Sequence, residues 1–247
     1  MDDKLKNDSA PGGLPNLKAT AVLSRVDAVY KILRSSIISG IYRPGEQLRV
    51  AELAQAVGAS TSPVREALRR LQSDGLVEFI PNKGARVSKV SSDDLEDIYS
   101  IRRLLEGQAL TLAHPNLNEE SLDTGLDLVK QMTIAFEAGN MHEMERLHRA
   151  VHFTMYEPSN SAWLLKLIGI IWDNCGRYLS VSPSLRESPK AFGEEHERIL
   201  RVSANSSVED AVAELYRHLT HTESLMRANY QPDWQAVLTP KNSKDHG

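Results

Sequence analysis

Four histidines have spacings that would bring their imidazole rings together. His148 and His152 are four residues apart in a segment with helical apolar periodicity, so their rings would project one turn apart from one face. His196 and His218 fall on the apolar faces of two later segments of the same kind. Few acidic residues share these inward faces, and neutral imidazole is a preferred ligand of divalent metals such as zinc. The pattern is therefore compatible with a metal site and also with a core of hydrogen-bonded histidines.

A basic segment that begins at Ser60 is the second place where side chains could do chemistry. Ser60 can begin a helix by accepting a hydrogen bond from a backbone N–H group, and Gly75 can end it. Arg65, Arg69 and Arg70 fall largely outside the apolar stripe, where they could contact phosphates or base edges. Helices with exposed arginines are also common in proteins that bind no nucleic acid, so the interpretation depends on the flanking segments. The apolar stripe consists of Val64, Ala67, Leu68 and Leu71.

The segments around this helix have the order of a DNA-binding motif. A short helix that ends at Gly58 precedes it directly, and a longer helix that ends at Gly40 precedes that one. A short helix, a tight turn and a basic helix in this order are typical of a helix-turn-helix, whose second helix enters the major groove. Two predicted strands follow at 76–80 and 85–90, joined by a turn in which Lys83 could approach a phosphate or the minor groove. These segments favour a winged helix-turn-helix.

Residues 25–90 resemble the winged helix-turn-helix domain of GntR-type bacterial transcription regulators. The resemblance rests on the motifs PGEQL at 44–48, ELA at 52–54, SPVREAL at 62–68 and DGLV at 74–77. It implies that Arg65 reads a base or holds a phosphate, that Ser60 binds a phosphate, and that the wing tip contacts DNA. The predicted DNA contacts are Arg49, Ser60, Thr61, Ser62, Arg65, Arg69, Lys83 and Gly84.

Two positions depart from the pattern of that family. Many relatives carry arginine at the positions of Ala51 and Thr61. The resemblance therefore implies either an operator that differs from the commonest one or a larger share of the contact for Arg49 and Arg69.

The charge of the chain is divided between its two parts. A chain of 247 residues accommodates two domains of ordinary size, and its net charge of −4 taken alone argues weakly against nucleic acid as a partner. Residues 18–90 hold 12 Lys and Arg against 6 Asp and Glu, whereas residues 91–230 hold 13 against 22. A basic front part and an acidic rear part indicate that DNA contacts one domain only.

The sequence carries no signal for secretion or membrane insertion. Residues 1–18 lack an apolar run that could serve as a signal peptide, and the most apolar segment, 163–172, is too short to span a bilayer. The single cysteine, Cys175, excludes an intrachain disulfide and fits a reducing cytoplasm. We therefore expect a cytoplasmic protein with a disordered tail at 1–18 and a C-terminal tail at 231–247.

Helical periodicity replaces strand signals from Ser91 onward. The first of these helices runs from Ser91 or Ser92 to about Ala113, where His114 and Pro115 end it. Short connections between six helices indicate an antiparallel bundle. The predicted fold is mainly α, with an N-terminal winged helix-turn-helix over 19–90 and a C-terminal all-α antiparallel bundle over 91–230. The five later helices are predicted near 118–138, 140–157, 161–180, 190–204 and 207–229.

Residues 93–228 resemble the all-helical FCD ligand-binding domain of the FadR subfamily of GntR regulators. The matching segments are 101–106, 151–157, 195–200 and 215–218, together with the 22-residue step from His196 to His218. In this family three histidines and an aspartate hold a divalent metal, and a small carboxylate effector binds beside it. His152, His196 and His218 match the histidines, and His148 occupies the aspartate position. An all-imidazole site suits zinc or nickel, and His148 either coordinates the metal or lines the pocket.

The same resemblance implies residues for binding the effector. Arg102 matches the family arginine that pairs with the effector carboxylate, and a guanidinium fork can bind both carboxylate oxygens. The alternative is a surface ion pair between Arg102 and Glu106, one helical turn away. Tyr99, Trp172 and Arg177 are predicted as further walls of the effector pocket.

These features predict a homodimeric transcription regulator, a repressor, that binds a palindromic DNA operator and responds to a metal and a small organic acid. The acid would shift the bundle against residues 88–93 and so re-space the DNA-binding domains. Two alternatives stay open. The metal beside an arginine could activate water in a hydrolase, although no general base faces inward apart from the histidines, so we expect no enzyme. The bundle could also be a metal-free module that only dimerises the DNA-binding domains.

Overall fold

The computed structural model describes residues 20–181 and 188–229, which form a winged domain followed by a helical bundle. The predicted tails at 1–18 and 231–247, and the predicted break at Ser182 and Pro183, lie outside these residues. The winged domain contains α1 (Thr20–Ile38), β1 (Gln47–Leu48), α2 (Val50–Ala56), α3 (Thr61–Ser73), β2 (Val77–Ile80) and β3 (Gly84–Val87). The bundle contains α4 (Ser92–Ala113), α5 (Glu119–Glu137), α6 (Met141–Tyr156), α7 (Ala162–Val181), α8 (Pro189–Asn205) and α9 (Val208–Asn229). The mainly α fold predicted from the sequence is confirmed.

The helix-turn-helix forms around the apolar stripe of α3. All four residues of the stripe are fully buried, and α3 packs against α1 and α2. Gly58 and Gly75 have φ values of 64° and 81°, so both glycines leave their helices in the left-handed region, as predicted. The prediction that the Ser60 side chain caps α3 is wrong. Ser60 is the residue before the helix, but its side chain is exposed and accepts no hydrogen bond from the first turn.

The wing is a three-stranded antiparallel sheet with the strand order β1-β3-β2. Val77 pairs with Val87 and Ile80 with Gly84, which leaves a three-residue turn at the tip. The predicted second strand is too long, because the chain leaves the ladder after Val87 and Val90 already packs in the core of the bundle. The two-residue strand β1 was not predicted, since two residues cannot display a period-two pattern.

The ends of the bundle helices follow local sequence signals. Ser91 caps α4 by accepting a hydrogen bond from the Asp94 backbone N–H at 3.1 Å. A short 3₁₀ turn, His114–Asn116, follows α4, as expected where Pro115 interrupts a helix. Asn118 and Asn140 cap α5 and α6 in the same way as Ser91 caps α4. The six predicted helices are confirmed, with ends displaced by at most one residue.

Each domain has its own hydrophobic core. One buried cluster joins α1, α2, α3 and the wing, and a larger one joins α4 to α9. The two domains touch where α1 packs against α7. Within the described ranges, we find no helix whose length and apolar character would let it cross a membrane. The helices therefore serve to assemble the cores and to position the side chains that point between them.

Candidate metal centre and nucleic-acid interface

The four predicted histidines meet in the interior of the bundle. His148 and His152 project from one face of α6, His196 projects from α8 and His218 from α9. One ring nitrogen of each lies within 4.8 Å of the corresponding nitrogens of the other three. The ring centroids of His148 and His196 are 4.7 Å apart, and those of His196 and His218 are 5.0 Å apart. Three helices therefore bring four imidazole rings close enough together to bind one metal ion.

Several nitrogens in this cluster are buried without a hydrogen-bond partner. They are Nδ1 and Nε2 of His148, Nε2 of His152 and Nε2 of His196, among the side chains that the structure describes. Burial lowers the pKa of His148 to about 3 and lowers the pKa values of His152 and His196 well below the ordinary value. These rings are consequently neutral at neutral pH, with lone pairs available. Unsatisfied buried nitrogens carry a desolvation penalty that a bound divalent ion would remove, so the residues fit a metal.

Hydrogen bonds from neighbouring residues orient the rings. His196 Nδ1 is 2.7 Å from the Phe192 carbonyl oxygen, which turns Nε2 towards the other histidines. His152 Nδ1 is 3.3 Å from the Tyr156 hydroxyl, which in turn donates a hydrogen bond of 2.6 Å to Glu106 Oε2. Carboxylates and carbonyls behind ligating histidines fix their tautomers in known metal sites. The cluster has the same kind of supporting shell.

Arg102 lies close to the histidine cluster and is buried. Its Nε donates to Glu106 Oε1 at 2.6 Å, and its Nη1 faces Cys175 Sγ at 3.6 Å. The guanidinium also lies over the Trp172 ring, 4.6 Å from its centroid. Burial alone would lower the pKa of Arg102, but the charge of Glu106 raises it well above the ordinary value. The pair with Glu106 therefore exists, but it is not the surface pair considered from the sequence, because both side chains are at most 5% exposed.

A cavity of about 600 Å³ adjoins the histidines and extends to the winged domain. Tyr99, Arg102 and Trp172 line it, as the sequence predicts for an effector pocket, together with His148 and His218. The helix α1 contributes part of the wall. Its lining residues are Arg34, Ser35, Ile38 and Ser39.

Arg177, predicted as a pocket wall, does not line this cavity. Its Nη1 donates to the Lys89 carbonyl oxygen at 2.9 Å, and its Nη2 lies 3.3 Å from Asp94 Oδ2. Two residues along a helix turn the direction of a side chain by about 200°, so Arg177 points away from the cavity that Cys175 lines. It instead contacts the connection between the two domains.

Two neighbouring side chains of α7, one acidic and one amide, join the domains next to the cavity. Asp173 on α7 pairs with Arg34 of the winged domain and also accepts a hydrogen bond of 2.8 Å from Arg149 Nη1. Asn174 Nδ2 donates to the Asp74 carbonyl oxygen at 2.7 Å. One carboxylate therefore holds guanidinium groups from both domains.

The eight predicted DNA contacts are all exposed on the winged domain. Arg65 forms no ion pair with any residue that the structure describes, whereas Arg49 pairs with Glu52 and Arg69 with Glu66. These two are exposed pairs within one helical turn, which are easily exchanged for a phosphate. The turn of the wing exposes Lys83 and Gly84 at the tip, the latter with a φ of 80°.

Arg70 differs from the other arginines of α3. Its guanidinium pairs with Asp27 and lies 4.4 Å from the centroid of the Tyr30 ring. Both partners belong to α1, so Arg70 is directed towards that helix. The sequence placed Arg70 with Arg65 and Arg69 because all three lie outside the apolar stripe.

Comparisons with known proteins agree with this geometry. Residues 25–87 match the bacterial regulatory proteins of the gntR family, and residues 97–221 match the FCD domain. The HTH-type transcriptional regulator McbR of Escherichia coli (strain K12) is 32% identical over 161 residues, which cover 63% of this chain and 73% of McbR. This chain belongs to the GntR family. It is a transcriptional regulator with an FCD domain and not an enzyme, so the hydrolase alternative is excluded.

Two further GntR relatives support the assignment. The HTH-type transcriptional repressor GlaR of Escherichia coli (strain K12) is 28% identical over 153 residues, which cover 60% of this chain and 70% of GlaR. A solved structure of E. coli McbR/YncC has a TM-score of 0.74 and 26% identity, and covers 84% of this chain and 99% of that chain. The match therefore includes both domains and their succession along the chain.

Sequence reasoning missed several residues of the GntR bundle. Tyr156 and Glu195 contact the histidine rings, and Asp173 joins the two domains. Glu195 Oε1 lies 3.1 Å from His218 Nδ1 on the neighbouring helix. Its position beside His196 in the sequence predicts a side chain turned about 100° away from that histidine. Only the packing of α8 against α9 brings Glu195 to His218.

Proposed function

We propose that this GntR regulator is a homodimeric repressor whose affinity for its operator depends on a small organic acid bound beside a divalent metal. The observation that carries the proposal is the set of buried imidazole nitrogens without partners at one point of the bundle. The metal ligands would be His148, His152, His196 and His218, and their nitrogen donors favour zinc or nickel. The rival proposal, a metal-free module for dimerisation, leaves those buried nitrogens without an explanation.

The winged domain would bind one half-site of a palindromic operator. The helix α3 would enter the major groove, with Arg65 at a base edge and Arg49 and Arg69 at phosphates. The three residues at the start of α3, Ser60–Ser62, are exposed and would contact the sugar-phosphate backbone of the DNA. Lys83 and Gly84 at the tip of the wing would approach the neighbouring groove.

The cavity beside the histidines would bind the acid. A divalent ion held by the four rings would supply a positive charge that attracts one carboxylate. Arg102 would add a hydrogen bond from Nη1, whose present neighbour is the weakly accepting Cys175 sulfur. Tyr99 would line the pocket without contributing a charge to the binding of the acid. Arg177 is left out of the proposed pocket, because it points to the connection between the domains.

The acid would act on DNA binding through the helix α1. Because α1 forms part of the cavity wall, a bound acid contacts the winged domain directly. A ligand can shift the relative positions of two domains only if its affinity differs between the two arrangements. The name of GlaR as a transcriptional repressor supports repression as the action that we propose for the DNA-bound protein.

The metal content of the protein tests this function. Plasma mass spectrometry on untagged protein should find about one zinc or nickel ion per chain. The variant His152→Ala should lose the ion, whereas His114→Ala should keep it, because His114 is not one of the clustered histidines and its Nε2 contacts the Ser206 carbonyl oxygen. If wild-type protein takes up neither metal after incubation with excess zinc or nickel, the histidines form a polar core and the metal-dependent part of the proposal fails.

A further inference from the structure

The chemistry of the cavity wall constrains the acid more closely, provided that the proposed function holds. Four arginines line the cavity, and acidic side chains balance their charge: three carboxylates pair with the arginines, and Glu145 and Glu195 also line the wall. Arg102 pairs with Glu106, Arg34 and Arg149 with Asp173, and Arg146 with Glu143. A ligand with two or three carboxylates would have to displace these partners. The proposed metal at the histidines is therefore the positive charge that is left to bind a carboxylate of the ligand, and it would bind one carboxylate.

Most of the surface of the wall is apolar, although serines, histidines and acidic side chains also line it. Aromatic rings, thioethers and aliphatic chains face the space between the histidines and α1, and a cavity of about 600 Å³ far exceeds the volume of a carboxylate. Removing an apolar surface of this extent from water is favourable, so it favours a ligand with an apolar part. The apolar side chains are Ile38, Tyr99, Met141, Trp172, Phe192, Leu225 and Met226.

We propose that the effector is a monocarboxylic acid with an apolar body. Its carboxylate lies at the histidines and Arg102, and its apolar end packs between the bundle and Ile38 of the winged domain. The apolar end of the ligand, which contributes to its affinity, then contacts the winged domain directly.

The position of Ile38 depends on a close approach of two helices. A Cβ atom on Gly176 of α7 would lie 2.8 Å from Ile38 Cγ2, so only glycine at this position allows α1 to come so near. Ile38 is half-buried by this contact and borders the cavity, whereas Ile32 on the same helix is 49% exposed and does not line the cavity. The two isoleucines form a matched pair of positions for a test.

The experiment is a calorimetric titration of the metal-loaded full chain with straight-chain acids from propanoate to octanoate. Affinity should rise about fourfold with each added methylene, as expected when each one is buried against apolar surface. Succinate and citrate should bind more weakly than octanoate. The variant Ile38→Ala should weaken octanoate binding by roughly tenfold and leave propanoate binding nearly unchanged. The control Ile32→Ala should match wild type for both acids.

The possible outcomes separate this inference from the proposed function. Equal affinity along the series, or tighter binding of citrate than of octanoate, would overturn the apolar class while leaving a metal-dependent acid sensor in place. Equal behaviour of Ile38→Ala and Ile32→Ala would overturn the placement of the apolar end against α1. Absence of metal and of any acid binding would overturn the proposed function itself. A rise of about fourfold per methylene, together with a roughly tenfold loss of octanoate affinity in Ile38→Ala and none in Ile32→Ala, supports the whole inference.

Discussion

Burial determines what each charged side chain near the cavity is able to do. Arg102 and Glu106 neutralise each other in the interior, and Tyr156 donates a further hydrogen bond to that carboxylate. Removal of either charge would leave the other buried and unpaired, a change that costs about 3–5 kcal/mol. Substitution of either residue would therefore destabilise the bundle, and Nη1 is the nitrogen of Arg102 that Glu106 does not engage.

Exposure has the opposite consequence for the arginines of the winged domain. Arg65 is exposed and unpaired among the described residues, so the change Arg65→Ala removes a group that is available only to an external partner. If Arg65 reads a base, operator affinity should fall by about 1–3 kcal/mol, or roughly 5- to 150-fold. Fluorescence anisotropy at one fixed salt concentration, on an operator selected from random duplexes, measures the loss.

The matched control for this prediction is Arg70→Ala on the same helix. Arg70 is engaged with Asp27 and Tyr30 of α1, so we expect its removal to change operator affinity by less than about threefold. Equal losses for the two variants would mean that both arginines act only through the general charge of the helix. Unchanged affinity of Arg65→Ala would refute a direct contact.

The side chains of the site were predictable to different degrees. Helical spacing places each of the four histidines on the inward face of its helix, and the resemblance to the FCD domain is what groups them into one site. Glu195 and Asp173 could not, because each reaches a partner on another helix or in another domain. Helical periodicity contains no information about which helices become neighbours. Arg177 was predicted as a pocket wall but does not line the cavity, because it lies two residues from Cys175 and so about 200° around α7.

At the scale of elements, apolar periodicity predicts helices well because each helix must bury one stripe. The helix α3 and all six bundle helices were found in this way. The strand β1 was missed, since its two residues are defined by their pairing with β3 and by no pattern of their own. Because each helix must bury its apolar stripe, apolar side chains that stay exposed on a helix indicate a surface that another molecule covers.

Two neighbouring helices of the bundle carry exposed apolar side chains. The helices α4 and α7 pack against each other and run antiparallel, since Asp94 contacts Tyr178 while Arg102 contacts Cys175. GntR regulators typically act as dimers, and a palindromic operator requires two winged domains. We therefore expect a second copy of the chain to cover this face. Its exposed apolar residues are Ile101, Leu104, Leu112, Trp163 and Leu167.

The variant Leu104→Glu tests this dimer surface. Leu104 on α4 and Ile134 on α5 are both 64% exposed, so glutamate at either position should be equally harmless to the isolated fold. At a dimer interface the carboxylate would be desolvated without a partner, and this should weaken dimerisation by about 2 kcal/mol or more. Sedimentation equilibrium should show dissociation for Leu104→Glu and an intact dimer for Ile134→Glu. Dissociation by Ile134→Glu alone would locate the interface on α5.

At the scale of the whole molecule, the two domains differ in charge, and both line the cavity beside the histidines. The winged domain is basic and the bundle is acidic, and DNA needs to contact the winged domain only. This division explains how a chain with a net charge of −4 can bind a polyanion. The cavity includes residues of α1, and Asp173 next to it binds Arg34 of one domain and Arg149 of the other. The proposed effector site is therefore in direct contact with the winged domain.

The change Asp173→Asn tests this connection, because it removes the charge that holds both guanidinium groups. In wild type, the acid that binds most tightly in the series above should change operator affinity by roughly 5- to 150-fold. In Asp173→Asn this ratio should move towards one, while metal content stays unchanged. The control Asp127→Asn breaks an exposed pair with Lys130 on α5 and should respond as wild type does.

The two directions of this coupling must agree. Because linkage between two binding sites is reciprocal, saturating operator should change the affinity of the wild-type protein for the acid by the same factor. The substitution Asp173→Asn should reduce that factor equally, since a single contact cannot carry the signal in one direction only. A variant that keeps the full ratio in both titrations would show that the signal passes through another contact, of which the bond between Asn174 and the Asp74 carbonyl is the next candidate.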